Sequence, residues 1–159
     1  MNQIDIPFIA VDNKGLEVKN ITKSYDNKRI LDNVSINLNR GESVALLGPN
    51  GAGKTSLFYI IMGLIKSESG SINLDKTQIS EYPMYRRSKL GLGYLPQESS
   101  IFRGMNVEEN ILSILEKTEK SSEIKIKKLE DLLAEFGIEH IRYAPSLSLS
   151  GGERRRLEI

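Results

Sequence analysis

Gly48-Pro-Asn-Gly-Ala-Gly-Lys54-Thr55 is the stretch on which the reading of this chain turns. It matches the pattern G-x-x-x-x-G-K-[ST]. A short apolar run, Ser43–Leu47, precedes it, and a segment rich in Leu, Phe and Ile follows from Leu57 to Ile65. A buried strand, a glycine turn and a helix in that order make a βα unit, with the turn at the strand's carboxyl end. The glycines let the backbone curl so that successive N–H groups face one anion, and the start of the helix adds its dipole. In such a cradle Lys54 reaches the β- and γ-phosphates of a nucleoside triphosphate, and Thr55 offers its hydroxyl to Mg²⁺. An accidental glycine loop is the alternative, and the strand and helix on either side weigh against it.

The chain has 159 residues, enough for one domain or a domain with a smaller lobe. Its 22 Lys+Arg against 21 Asp+Glu leave a net charge of +1, so no global field draws it to nucleic acid or to an anionic membrane. The absence of cysteine excludes a disulfide framework and thiolate metal sites and fits a reducing cytosol. No Lys or Arg stands among the first residues, and Asp5 interrupts their apolar stretch, so they do not read as a secretory signal. The longest apolar run, Leu57 to Ile65, falls far short of the ~20 residues that cross a bilayer. The expectation is a protein that works beside a membrane, if a membrane matters.

Around the glycine turn, Leu16–Ile21, Val34–Leu38 and Ser43–Leu47 read as strands, separated by the polar turns Asp26-Asn27-Lys28 and Asn39-Arg40-Gly41. Ser71–Leu74 reads as a further strand, Pro83–Leu90 as a helix with proline in its first turn, and Leu92–Leu95 as a short strand. Beyond Gln97 the texture changes to helical apolar spacing over Val107–Lys117 and Ile124–Phe136. The expected organisation is an N-terminal extension at 1–14, an α/β core at 15–97, a helical subdomain at 98–149, and the start of another helix at 150–159. The Lys/Glu-rich stretch from Glu116 to Lys128 reads as a solvated helix face and its loop.

Two later features bear on chemistry. Gly93-Tyr-Leu-Pro-Gln97 ends an expected strand in a glutamine whose amide could reach a metal or a water; most lone glutamines in such a place do nothing. Leu149-Ser-Gly-Gly-Glu153 has Ser150 and Glu153 at capping-box spacing, so a helix should start there. Glycines at 151 and 152 would cost that helix ~1 kcal/mol each relative to alanine, which suggests a close approach by a ligand or another backbone. An ordinary capped helix is the plainer alternative.

Taken in order, Gly48–Thr55, Gln97 and Leu149–Glu153, with a helical lobe between the last two, resemble the ATP-binding subunits of ABC transporters, over nearly the whole chain from Gly15 onward. The resemblance implies an α/β P-loop NTPase core of RecA type, with an N-terminal antiparallel β region and an α-helical subdomain, incomplete at its C-terminus. It implies ATP and Mg²⁺ as ligands. Gly48, Pro49, Asn50, Gly51, Ala52, Gly53, Lys54, Thr55 and Ser56 would bind the phosphates, Thr55 and Gln97 the metal, and Lys54 with Gln97 would serve catalysis. It implies a head-to-tail pair of subunits in which Leu149, Ser150, Gly151, Gly152 and Glu153 of one copy face the ATP of the other. Tyr25, in Lys23-Ser-Tyr-Asp26, matches an aromatic that stacks on adenine; read without the family it is a half-buried residue at a strand edge.

The stretch from Tyr85 to Arg103, followed by Asn106-Val-Glu-Glu-Asn110, is similar to the lipopolysaccharide-export branch of that family, as are Glu135–Ile141 and Ser150–Glu158. The branched-chain amino acid importers share the Leu-Gly-Leu-Gly-Tyr pattern and are the nearest rival. The branch implies a cytoplasmic ATPase, peripheral on the inner membrane, whose membrane-spanning partners dock around Tyr94 and Ser100, Ile101, Phe102 and Arg103. Ile101 and Phe102 could equally cap the core of the helical lobe. Arg86, Arg87 and Arg154–Arg156 read as solvated or structural side chains, with no nucleic acid expected. Lacking the family's later Asp-Glu pair and its histidine, the chain is expected to bind ATP without turning it over alone, and to be fragile. His140 precedes the Ser150 segment and reads as a surface side chain.

Overall fold

Asp26 and Asn27 both sit at positive φ, 47° and 62°. A two-residue turn of that kind matches the twist of an antiparallel pair, and short polar side chains tolerate it. The computed structural model describes residues 15–159; the expected extension at 1–14 lies outside the described residues. It has a long hairpin at this turn, β1 (Leu16–Tyr25) and β2 (Lys28–Leu38), with Tyr25 opposite Lys28. On its other side β1 pairs with β3 (Ser69–Leu74), which pairs with β4 (Thr77–Gln78). All pairings are antiparallel and the sheet order is β2-β1-β3-β4.

Both hairpin strands run further than the expected Leu16–Ile21 and Val34–Leu38. Asn20 and Asn33, at φ 52° and 53°, break the in–out alternation without ending the ladder. The Asn20 N–H donates to the Ser35 hydroxyl oxygen at 2.9 Å, and that hydroxyl donates to Asn20 Oδ1 at 3.1 Å. Opposite, the Asn33 N–H donates to Thr22 Oγ1 at 3.3 Å. These irregularities are held by hydroxyls on the neighbouring strand.

Two expected strands are not found. Ser43–Leu47 and Leu92–Leu95 are irregular, and neither has a ladder partner among the described residues. A strand covered on both faces needs neighbours in register, and without them Val44 and Leu47 stand 49% and 87% exposed. Leu46 and Leu92 still pack against the core with one side chain each.

The expected helix after the glycine turn is α1 (Lys54–Met62), and the one after Pro83 is α2 (Met84–Lys89), with Pro83 as its cap outside the first turn. Nine residues are too few to hold a helix in water by propensity. Leu57 and Ile60 of α1 are buried with Val18, Ile21, Leu31 and Ile72 of the sheet, each side chain contributing ~2 kcal/mol. Burial on the sheet therefore decides that α1 exists and where it lies.

The C-terminal end of α1 closes in Gly63 at φ 76°, whose N–H reaches the Ile60 carbonyl. Beneath it lies Arg87, 2% exposed. Its guanidinium donates to the carbonyls of Ile60 and Ile61 at 2.8 and 2.7 Å, of Tyr82 at 2.7 Å and of Ser80 at 2.8 Å. Burial pulls its pKa down, and the carbonyls at the negative end of α1 offset the lost hydration. Arg86 by contrast is exposed, its guanidinium 5.7 Å from the Tyr82 ring centre.

The chain divides into two compact units, one up to Tyr94 and one from Leu95 to Ile159. In the second, α3 (Val107–Thr118), α4 (Ser122–Glu135) and α5 (Gly151–Glu158) surround Val107, Leu115, Leu129, Leu133, Ile138 and Leu149. Asn106 caps α3 in a reciprocal box with Glu109. Among the described residues no helix is long and apolar enough to cross a membrane.

Asp75 carries a pH signature of the first unit. Its side chain is fully buried, accepts the Gly15 N–H at 3.1 Å, and meets the Arg40 guanidinium at 2.6 Å. Arg40, and to a smaller extent the Gly15 N–H, hold the carboxyl below its usual range against the opposing effect of burial. A carboxyl depressed in the folded state adds stability above its unfolded pKa of ~3.9, and that contribution is lost as pH falls through the folded value. Asp75→Asn is therefore expected to be less stable at neutral pH and to lose less stability on acidification below about pH 4. Chemical denaturation across that range measures this; parallel acid profiles for parent and variant would contradict it.

Candidate functional site

The glycine turn is shaped by contact with β2. Gly53 caps α1 at φ 85°, and a Cβ built there would lie 2.8 Å from both the Ile30 carbonyl oxygen and Leu31 Cδ2. No side chain larger than hydrogen fits without moving backbone. Gly51, also at positive φ, 81°, faces open space instead. The Ala52 N–H turns back to the Pro49 carbonyl at 3.3 Å, and the Leu57 N–H makes the first helical bond to Gly53 at 2.9 Å.

Lys54 folds over this turn. Its ammonium donates to the carbonyls of Gly48 at 2.7 Å and Pro49 at 2.6 Å, bracing the loop. The first turn of α1 has no side-chain cap and no acidic residue. Its N–H groups, the Thr55 and Ser56 hydroxyls and the Lys54 ammonium thus make a donor set with no carboxylate in it. Such a set fits a polyanion with several oxygens, and a hydroxyl beside it fits a small hard cation carried by that polyanion.

Tyr25 ends β1 at the turn end of the hairpin, two β2 residues from Ile30, on whose carbonyl Gly53 rests. It is 44% exposed, and the Lys23 ammonium sits 5.4 Å from its ring centre. Tyr94 packs edge-on against Tyr59 of α1 with ring centres 6.4 Å apart, and burial raises its phenol pKa.

The second unit holds the other candidates. Ser150 caps α5 as expected: its hydroxyl donates to Glu153 Oε2 at 2.6 Å, its N–H donates to the same oxygen at 2.8 Å, and the Glu153 N–H returns to Ser150 Oγ at 3.3 Å. The Ser150 hydroxyl first, then its N–H, lowers the Glu153 pKa. Gly151 and Gly152 are exposed, with no described atom within 4 Å of a Cβ at either. The close approach that two glycines suggest is not made by the described chain itself.

Gln97 is exposed in a bend, and α5 holds that bend. The Arg155 guanidinium donates to the Pro96 carbonyl at 2.8 Å, and Glu158 accepts the Ser100 N–H at 3.1 Å while pairing with Arg155 at 3.2 Å. The Ser99 hydroxyl and Arg155 hold the Glu158 carboxyl below its usual range. The structure thereby links the Ser150 segment and Gln97 through one helix. Sequence reading did not find this role for Arg155 and Glu158: their spacing of three signals a helix pair, and nothing local points to partners 58 and 59 residues upstream.

Asn110 was also missed. Buried on the apolar face of α3, it accepts the Phe102 N–H at 2.7 Å and donates to the Phe102 and Asn106 carbonyls and to Ser146 Oγ at 3.2, 2.8 and 2.8 Å. An asparagine in an otherwise apolar stripe was the available signal. The Phe102 backbone is thus fixed while its ring is 47% exposed. Ile101 and Phe102 line an apolar groove of about 330 Å³ with Ile111, Ile114, Phe136 and Leu157. His140 is exposed on a short 3₁₀ turn, its Nε2 3.8 Å from Glu153 Oε1.

Gly51 and Gly53 separate strain from contact. Gly51→Ala meets only the conformational cost of positive φ, ~1 kcal/mol or slightly more, whereas Gly53→Ala adds a backbone clash and should cost at least about 3 kcal/mol. Urea denaturation of both variants checks this; equal losses would contradict the described packing against Ile30.

A family model described as ABC transporter matches residues 31–159. A probable ABC transporter ATP-binding protein of Azorhizobium caulinodans is 54% identical over 87% of the chain, and an uncharacterised ABC transporter ATP-binding protein of Rhizobium meliloti 53% over 91%. The lipopolysaccharide export system ATP-binding protein LptB of Escherichia coli K12 is 46% identical over 91%. The chain spans 50%, 53% and 60% of the lengths of these three relatives. Among solved structures, a Clostridium perfringens protein described as part of the ABC transporter complex cbiONQ superposes with a TM-score of 0.81 at 26% identity, covering 92% of this chain and 60% of that one. An ATP-binding cassette of an ABC transporter in its ADP conformation gives 0.74 at 26% identity, covering 91% and 62%.

Proposed function

Since this chain belongs to the ABC transporter family, we propose that it forms part of an ATP-binding subunit whose complete form couples ATP binding and hydrolysis to lipopolysaccharide export. One observation carries the nucleotide half of this reading: the Lys54 ammonium braces a glycine turn in front of a helix start that no side chain caps. The residues from Gly48 to Ser56 would hold the phosphates, Thr55 would offer its hydroxyl to Mg²⁺, and Tyr25 would meet the adenine face; Gln97, in the second unit, would be the other Mg²⁺ ligand that the family resemblance implies. When bound, ATP would supply the phosphoanhydride whose cleavage drives a transport cycle, and Mg²⁺ would neutralise phosphate charge. Lys54 serves that charge as a fixed cation, and Gln97 serves as a polar arm whose bend α5 steadies.

Leu149–Glu153 presents a helix start that Ser150 caps and whose two glycines stand bare, which suits a ligand brought by another copy of the subunit in a head-to-tail pair. The exposed ring of Phe102, with Ile101, Ser100 and Arg103, suits a membrane-spanning partner, as does Tyr94 of the first unit on its own, so the complete protein lies at the cytoplasmic face of the inner membrane. Support for the exported cargo comes from the E. coli relative's description. A second reading is another transporter of the same family, such as a branched-chain amino acid importer: the two more similar relatives carry descriptions that name no cargo and so give lipopolysaccharide no support.

Lys54→Ala removes the cation that meets the phosphates, and MgATP affinity is expected to fall by about a hundredfold or more in calorimetry. The complete protein should restore growth to cells depleted of their lipopolysaccharide-export ATPase, and its Lys54→Ala form should not. Equal MgATP affinity before and after the change contradicts the nucleotide reading; failure of the unaltered protein to restore growth contradicts the cargo.

A further inference from the structure

Asn50 is the one asparagine in the sequence followed by glycine, and the fold puts that pair at an open point of the turn. Both residues are exposed, Gly51 is at φ 81°, and nothing lies within 4 Å of where its Cβ would be. Among the described residues neither the Asn50 side chain nor the Gly51 N–H has a hydrogen-bond partner. The loop's internal bonds, from Ala52 to Pro49 and from Lys54 to Gly48 and Pro49, bypass both groups. Every other asparagine is followed by a residue whose side chain crowds its main-chain nitrogen.

We propose that Asn50 is a site of spontaneous deamidation that switches the phosphate cradle off. The Gly51 nitrogen gives up its proton and bonds to Asn50 Cγ, the Cγ–Nδ2 bond breaks, and Nδ2 leaves with that proton as ammonia. Water then opens the resulting ring. Attack at Cγ leaves an aspartyl residue, and attack at the Asn50 main-chain carbonyl leaves an isoaspartyl one. Either product sets a carboxylate into a turn that otherwise holds no acidic side chain, where it repels phosphate and competes for Lys54. The isoaspartyl form also lengthens the backbone that aims the amides. The switching effect rests on the nucleotide reading given above, because a ligand that engages the loop amides also immobilises the Gly51 nitrogen and protects Asn50.

The test incubates the protein at mildly alkaline pH with and without MgATP, digests it, and follows the amide-to-acid mass gain at each asparagine, with isoaspartyl methyltransferase labelling as a second readout. Conversion at Asn50 ahead of every other asparagine is expected; an intact Asn50 while others convert overturns the proposal. MgATP should slow conversion about fivefold or more at saturation. An unchanged rate in protein that calorimetry shows to bind MgATP overturns the switch. Conversion at Asn50 in protein that binds no MgATP instead leaves the modification standing and refutes the nucleotide reading. Asn50→Asp should weaken MgATP binding about tenfold or more, and an unchanged affinity overturns the switch.

Discussion

The placement of α1 is the constraint on which the first unit depends. Its sequence is too short to be helical alone, so its position is imposed by Leu57 and Ile60 on the sheet and by what holds its two ends. At the N-terminal end Gly53 rests against the Ile30 carbonyl and Leu31. At the other, Arg87 collects the carbonyls of Ile60 and Ile61 together with those of Ser80 and Tyr82. With both ends fixed, the uncapped amides of the first turn aim at one place. A loop positioned in this way would not have to be ordered by a ligand, which lowers the entropic cost of binding.

The second unit repeats the device in another form. Ser150 and Glu153 satisfy each other across the start of α5, which frees Gly151 and Gly152 to leave the helix end uncovered. Further along, Arg155 and Glu158 hold the bend that carries Gln97. One short helix therefore serves two sequence features about fifty residues apart.

Much of this was legible in the sequence where the cause is local. The glycine turn, the Ser150–Glu153 box, the polar Asp26-Asn27 turn and the helices near 107–117 and 124–136 all follow from spacing and side-chain chemistry. What was not legible depends on distant partners. Asn20 and Asn33 hide a continuous hairpin because their left-handed conformation interrupts the alternation that marks a strand. Ser43–Leu47 and Leu92–Leu95 have the composition of buried strands, yet a strand is made by its neighbours, and none is in register among the described residues. Arg87 gives no sequence sign of burial, since its acceptors are backbone carbonyls that any residue supplies.

On the proposed reading, the uncapped amides of Gly51 and of Gly53 to Ser56 form a ready-made polyphosphate site. An NMR titration of backbone amides with tripolyphosphate and then with MgATP tests it most directly. Saturable shifts led by Gly51, Gly53, Lys54, Thr55 and Ser56 are expected with either ligand, and additional shifts around Tyr25 only with MgATP. Shifts that bypass the glycine turn, or none at saturating MgATP, would contradict it.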